Sequence, residues 1–390
     1  MTRLPPLILI LLLWFAGLGA AAQFGKISVL YEDLRQSYGA TGEIGLGLVV
    51  SVVGMVGLIF GTTAGLLVER TGPKRAITAA LALGALVSAV ESLMPAYPLM
   101  ITARVLEGVS HLAIVVVGPT MIAAIAPVAQ RPLAMTLWSS FFGVTYALLA
   151  LIAPWVIAIG GAPALFLGHA GWMAGLALVL ARVLPPDPPP PPPRGGNLLA
   201  QHAEIYASPR LAAPAMGFCF YTFLYVACLT LLPPVVPETH RALMATGMPL
   251  ISIAISLTLG VRLLSRMSAV RLVQWGYAAA APGFLLLWLF WGQGAGMVLG
   301  GLWLSAALGI VQGASFASIP ELNATADDRA RASGAVAQLG NLGTTTGTPV
   351  LAYLLASGGP AALVPFAVVL CGAGIAVHLW QARRRQALST

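Results

Sequence analysis

Twelve long apolar runs alternate along the chain with short breaks rich in Pro, Gly and charge. They fall at roughly 4–28, 43–68, 76–94, 97–126, 133–159 and 163–183, then at 210–236, 241–264, 269–291, 295–320, 333–357 and 360–381. About twenty apolar residues in an α-helix cross the hydrocarbon core of a bilayer. An outer-membrane barrel would show ten-residue segments of period two, which these continuous runs do not. The pattern therefore predicts an all-α membrane protein with twelve transmembrane helices. The first run needs one check, because Arg3, an apolar stretch and Ala20-Ala21-Ala22 also look like a secretory leader. Its start at Pro5-Pro6 and its continuation to Tyr31 predict a full span instead.

The longest interruption divides the chain. Residues 185–197, PPDPPPPPPRGGN, form a polyproline run closed by Gly-Gly, which neither helix nor bilayer accommodates and which acts as a semi-rigid spacer. Residues 197–209 predict a short amphipathic helix on the membrane face. The expected organisation is a six-helix bundle over 1–183, a Pro-rich linker over 184–209, and a second six-helix bundle over 210–390 with a short basic tail. An internal repeat relates the halves. Arg104-Val-Leu-Glu107-Gly108-Val-Ser110 in run four corresponds to Gly309-Ile-Val-Gln312-Gly313-Ala-Ser315 in run ten. Paired six-span units joined by a long loop are a transporter plan.

Composition agrees with this reading. Of 390 residues 58% are hydrophobic and 8% charged, which excludes a soluble globular surface as well as disorder. A formal charge of +8 raises nucleic acid as a partner, but the basic residues are scattered over short loops, so none is expected. Their distribution orients the chain instead. With the N-terminus inside, inner loops hold Arg70, Lys74, Arg75, Arg131, Arg194, Arg210, Arg262, Arg266, Arg271, Arg329, Arg331 and Arg383–Arg385. Outer loops hold only Lys26, Arg35 and Arg241. This asymmetry predicts an inner (cytoplasmic) membrane protein with both termini in the cytoplasm. The cysteines, Cys219, Cys228 and Cys371, lie in apolar runs without a CxxC spacing, so neither a disulfide framework nor a zinc site is expected. Walker and catalytic-triad motifs are absent, which argues against a primary pump or an enzyme, and no resident cofactor is expected.

Between runs two and three stands Gly65-Leu-Leu-Val-Glu69-Arg70-Thr-Gly72-Pro-Lys74-Arg75. It resembles the inner-loop signature of the major facilitator superfamily, G-x-x-x-D-R-x-G-x-K/R-K/R, with Glu69 in place of Asp. Arg104 and Gly108 in run four match a second signature, R-x-x-x-G. The resemblance spans the whole chain and implies two bundles that rock about a central site, alternating access by a monomer in the lipid bilayer. The fifth-span glycine signature of drug/proton antiporters is not matched around Gly143, Tyr146, Ala147 and Pro154. The nearest glycine pattern is Gly340, Gly343, Gly347 and Pro349 in run eleven.

Ionisable groups inside the membrane are candidate functional residues. Arg104, Glu107 and His111 share one helical face, a stripe suited to binding a solute or relaying protons. Gln23, Lys26, Gln312, Gln338 and Asn341 are further candidates for lining a cavity, whereas His169 and His378 read as peripheral. A soft-ligand stripe opens run eight, with His240, Met244 and Met248 at four-residue steps and Cys219 in run seven as a further ligand. Imidazole and thioether together favour Cu(I). His240-xxx-Met244 resembles an element of the facilitator-type copper importers that supply bacterial cytochrome-oxidase assembly. Their seventh-span MxxxM is missing, since Phe220 stands four residues after Met216. Two cargoes follow: copper moved along the His/Met stripe, or a small organic solute such as an organic anion or drug moved with protons, with Arg104 or Lys26 anchoring an anion.

Overall fold

In a computed structural model, residues 5–64, 68, 71–127, 134, 137–138, 140–187 and 198–388 are described. The helices in chain order are α1 (Pro6–Val29), α2 (Tyr31–Tyr38), α3 (Gly42–Ser51), α4 (Gly54–Phe60), α5 (Pro73–Glu91), α6 (Tyr97–Ile125) and α7 (Phe141–Val183). After the linker come α8 (Leu198–Ala207), α9 (Ala212–Leu231), α10 (Glu238–Ile255), α11 (Val261–Leu264), α12 (Ala269–Leu289), α13 (Gly294–Leu322) and α14 (Ala326–Ala387). Proline stands in the first turn of α1, α5 and α6, where its missing N–H costs nothing and its fixed φ suits a helix start.

Among the described residues nine helices are long and apolar enough to cross a membrane, or ten when α3 and α4 are taken with α2 as one bent span. Two of these helices cross twice. α7 has 43 residues and α14 has 62, about two and three times the ~20 that a bilayer needs. Each is interrupted by non-helical glycine, Gly160–Gly161 in one and Gly359 in the other. Neighbours along α1 reveal the reversal: Gly17 and Gly25 face Phe141 and Tyr146 in ascending order. The Phe15 and Gly19 carbonyls accept from Trp172 and His169 in descending order. In the second half, Gly340 and Gly343 ascend beside Phe218 and Thr222, and the chain returns to put Gln381 on Met216. Among the described residues the chain therefore makes twelve passes, two in each of these long helices.

The second and eighth passes are not straight. α3 and α4 meet at 62° across Val52–Val53, and α10 continues into α11 through a π-helical stretch, Ser256–Gly260. The repeat explains both. Gly108 in α6 leaves room for the Val53 carbonyl, and Gly309 and Gly313 in α13 leave room for Ser252 and Ser256. In each half a small-residue face of the fourth helix lies against the irregular stretch of the second, a close approach that side chains would block. Large apolar residues such as Leu93, Trp155, Ile159 and Val369 are exposed, as a lipid-facing surface requires.

The halves meet along α3–α4 and the first arm of α14. Gly47 packs on Pro349, and the Ser51 hydroxyl donates to the Thr345 carbonyl at 2.8 Å. On the face that carries the termini, α8 bridges the two halves. His202 meets Thr62 at 2.5 Å, and the Tyr206 hydroxyl donates to Gln338 at 2.7 Å. Gln338 in turn donates to the Leu58 carbonyl at 2.8 Å.

Candidate functional site

α1, α5, α6 and the second arm of α7 each bring polar side chains to one buried point in the N-terminal bundle. Lys26, Glu91, Arg104 and Glu107 are all fully buried. The Lys26 ammonium donates to Glu91 Oε2 and to Glu107 Oε1, both at 2.6 Å, and to Ser88 Oγ at 2.9 Å. Arg104 pairs with Glu107 one turn along α6 and lies 3.5 Å from Glu91 Oε1. Two cations and two carboxylates make the cluster neutral, which is what allows it to exist in an apolar bundle.

His169 completes the group. Its Nε2 lies 3.0 Å from the Gly19 carbonyl, which only accepts, so Nε2 carries the proton. In the neutral ring Nδ1 is then an acceptor, 3.2 Å from Lys26 Nζ and 3.9 Å from Glu107 Oε1. Arg104 also reaches beyond the ion pairs. Its Nε donates to the Val49 carbonyl at 2.9 Å, and one terminal nitrogen donates to the Gln23 and Val50 carbonyls at 2.6 and 3.2 Å. Val49 and Val50 are the last turn of α3 before the 62° bend. The R-x-x-x-G spacing thus has a local reason: Arg104 binds carbonyls on one side of the bend, and Gly108 admits the Val53 carbonyl within it.

These contacts revise several sequence expectations. His169 is not peripheral; it is buried at the centre of the cluster, because α7 folds back along α1. Lys26 is inside the bundle, not at its edge, and Glu91, which sequence reasoning passed over, is a full partner. Glu91 is the last residue of α5. His111 shares the α6 face with Arg104 and Glu107 but turns to the Ala20 carbonyl at 3.0 Å, with Phe24 edge-on to its ring. His378 is also fully buried, against Gly217.

Gln312 lines a small groove between the halves with Ser140 and Ser256. Asn341 covers Gly54 and Gly57 and donates to the Ala337 carbonyl at 2.8 Å. Neither touches the ion cluster. Of the inner-loop motif, Gly65, Glu69 and Arg70 lie outside the described residues. Gly72, Lys74 and Arg75 open α5, and Asp187 from the start of the Pro-rich linker caps that helix. Its carboxylate accepts from the Lys74 and Arg75 backbone N–H groups at 2.6 and 3.1 Å. Gly72 holds φ +88°, and a Cβ there would strike Asp187, so glycine is needed twice over.

The soft-ligand stripe is divided. Met244 and Met248 are fully buried against Gly301 of α13, and His240 rests on Gly294 with Nδ1 3.0 Å from the Thr239 hydroxyl. Cys219 meets Gly343 and is not joined to them. No group of three or more His, Cys, Asp or Glu placed to hold a metal occurs among the described residues.

No curated protein sequence matches this chain. Solved structures with the same fold include the fucose:proton symporter FucP of E. coli, at 16% identity and TM-score 0.66, covering 97% of this chain and 99% of that one. The inward-open xylose transporter XylE of E. coli aligns at 17% identity and TM-score 0.74 over 96% of this chain and 95% of that one. A bacterial homologue of the human lysosomal transporter Spinster, inward-facing and occupied, aligns at 14% identity and TM-score 0.75 over 96% of both chains. The sequence profile of the major facilitator superfamily matches residues 13–325, most of the chain and both signature segments. With twelve passes in two related halves and a charged centre held by the R-x-x-x-G helix, the chain belongs to the major facilitator superfamily, whose members are secondary transporters and not enzymes.

Proposed function

We propose that this transporter is proton-coupled, that the proton is taken up at the Lys26–Glu91–Arg104–Glu107–His169 cluster, and that both termini lie in the cytoplasm. The observation that carries the reading is one ammonium, Lys26, shared at 2.6 Å by two buried carboxylates and contacting His169 Nδ1. The cluster is neutral as built, so one added proton leaves it with a net positive charge in an apolar bundle, a large change for a small input. A proton on Glu107 removes the acceptor that holds Lys26 and Arg104 together. Arg104 is then freed to shift against the Val49 and Val50 carbonyls, at the bend of the pass that packs on the C-terminal bundle. That is a continuous physical route from protonation to the contact between the halves, the element that must move for alternating access. The fucose:proton symporter among the similar folds is consistent with such coupling.

A copper cargo rests on the soft-ligand stripe and its His240–Met244 resemblance, and the burial of Met244 and Met248 in the α10–α13 contact supports packing instead. The test is uptake into proteoliposomes under an imposed pH gradient, with a panel of labelled metal ions, organic anions and organic cations. Gradient-driven accumulation of a panel member should be lost in Glu107→Gln while exchange of that solute across the membrane survives. Accumulation indifferent to the gradient, or unchanged in Glu107→Gln, would remove the cluster from coupling. Reporter fusions at residues 72, 195 and 385 should read cytoplasmic; an external signal at 195 would reverse the orientation.

A further inference from the structure

Between the two bundles, on the face opposite the termini, lies a cavity of about 410 Å³. This is within the ~300–1,000 Å³ of ordinary small-molecule sites. It is bounded by the end of α1, α2, the first arm of α7, the end of α9 and the start of α10. We propose that this cavity takes a lipophilic organic cation, its charge held by Glu32, Asp33 and Glu238 and its apolar body by the walls. The assignment names a cargo class and so rests on the transport reading above.

Three observations converge on it. The walls are apolar, with Leu149, Ala153, Ile157 and Leu229 among them, and they carry the rings of Tyr31 and Tyr146. Aromatic faces attract cations electrostatically. The polar groups at the floor are already occupied with one another. Thr230 donates to Ser28 at 2.9 Å, and Ser28 lies 3.1 Å from the Tyr146 hydroxyl. On the wall, the buried Tyr31 side chain turns its hydroxyl toward Glu43, and the Arg35 guanidinium already lies over its ring at 5.6 Å. So few unspent polar groups suit a ligand with delocalised charge better than a polyol, which would need many. At the mouth three carboxylates face one cation, Arg241, and apolar walls focus the resulting negative field. Glu32 also lies 3.7 Å from Arg35, which moderates but does not reverse the balance.

The same structure disfavours an anion. Lys26 and Arg104, the residues that sequence alone offers as anion anchors, are fully buried and matched by Glu91 and Glu107. Seating an anion on either would break an ion pair inside the bundle.

The experiment is equilibrium binding of tritiated tetraphenylphosphonium to the full-length protein in detergent micelles, with tetraphenylborate as competitor. The two probes share shape and apolarity and differ in the sign of a permanent charge, so the result does not depend on proton coupling. Saturable binding of the cation is expected, without displacement by the anion. Asp33→Asn and Glu238→Gln should each weaken it about two- to fivefold, the range for charges at a solvated rim, and adding Glu32→Gln should weaken it further. Arg241→Gln should strengthen it by a similar factor. Displacement by tetraphenylborate as effective as by unlabelled cation would overturn the proposal, as would absence of saturable binding, or binding unchanged in the triple carboxylate variant. Solute accumulation by the wild type indifferent to the pH gradient would sink the proton reading and leave this one standing.

Discussion

Replacing Lys26 by Met removes the one ammonium that Glu91 and Glu107 share, at nearly the same length and without adding a polar group. Four hydrogen-bonding contacts go with it, to the two carboxylates, to Ser88 and to His169. The remaining charges are two carboxylates against Arg104 alone, a net negative charge at a site with no solvent exposure. Removing one member of a buried ion pair typically costs about 3–5 kcal/mol, most of it for the charge left unmatched. For a chain of this size that corresponds to a fall of about 5–15 °C in the apparent unfolding midpoint. The distinguishing variant is the double replacement Lys26→Met/Glu91→Gln. It loses more contacts than the single variant but restores neutrality, with Arg104 against Glu107. It should therefore be more stable than Lys26→Met, recovering roughly half of the loss. The measurement is intrinsic tryptophan fluorescence during heating of the detergent-solubilised protein at fixed scan rate, for the wild type, each single variant and the double. If Lys26→Met moves the midpoint by less than about 2 °C, or if the double variant is less stable than the single, charge balance is not what holds this cluster together.

Three further outcomes follow from the geometry. Asp187→Ala uncaps α5 and should cost about 0.5–2 kcal/mol in the same thermal assay, with impaired transport; an unchanged midpoint and flux would make the contact with Lys74 and Arg75 incidental. Gly108→Val pushes a side chain into the Val53 carbonyl at the bend of the second pass and should lower stability by about 1–3 kcal/mol, with transport lost; wild-type flux would show that the bend tolerates separation from α6. The double replacement Met244→Leu/Met248→Leu keeps volume and apolarity, so stability should fall by less than about 1.5 kcal/mol per site and cellular copper should accumulate as in the wild type; loss of copper accumulation would restore the metal reading.

What the sequence determined by itself is what the bilayer imposes. Lipid offers no hydrogen bonds, so every pass must be a closed helix of about twenty apolar residues, and such runs are countable in one dimension. The all-helical membrane architecture and its passes were legible for that reason. A pairing within one helix was legible too, because Arg104 and Glu107 are one turn apart whatever else the chain does.

Contacts between helices were not. Lys26 is separated by 65 residues from Glu91, 81 from Glu107 and 143 from His169, and neither Glu91 nor His169 stood out in its own run. His169 enters the cluster only because the chain reverses at Gly160–Gly161 and returns along α1. Met244 and Met248 carry the opposite lesson. Helical spacing correctly put them on one face, but which helix that face meets is a tertiary matter, and it meets Gly301 of α13. A periodic pattern states which side of a helix is shared. Only packing decides whether the neighbour is a charge to be neutralised, a glycine to be covered, or an open cavity.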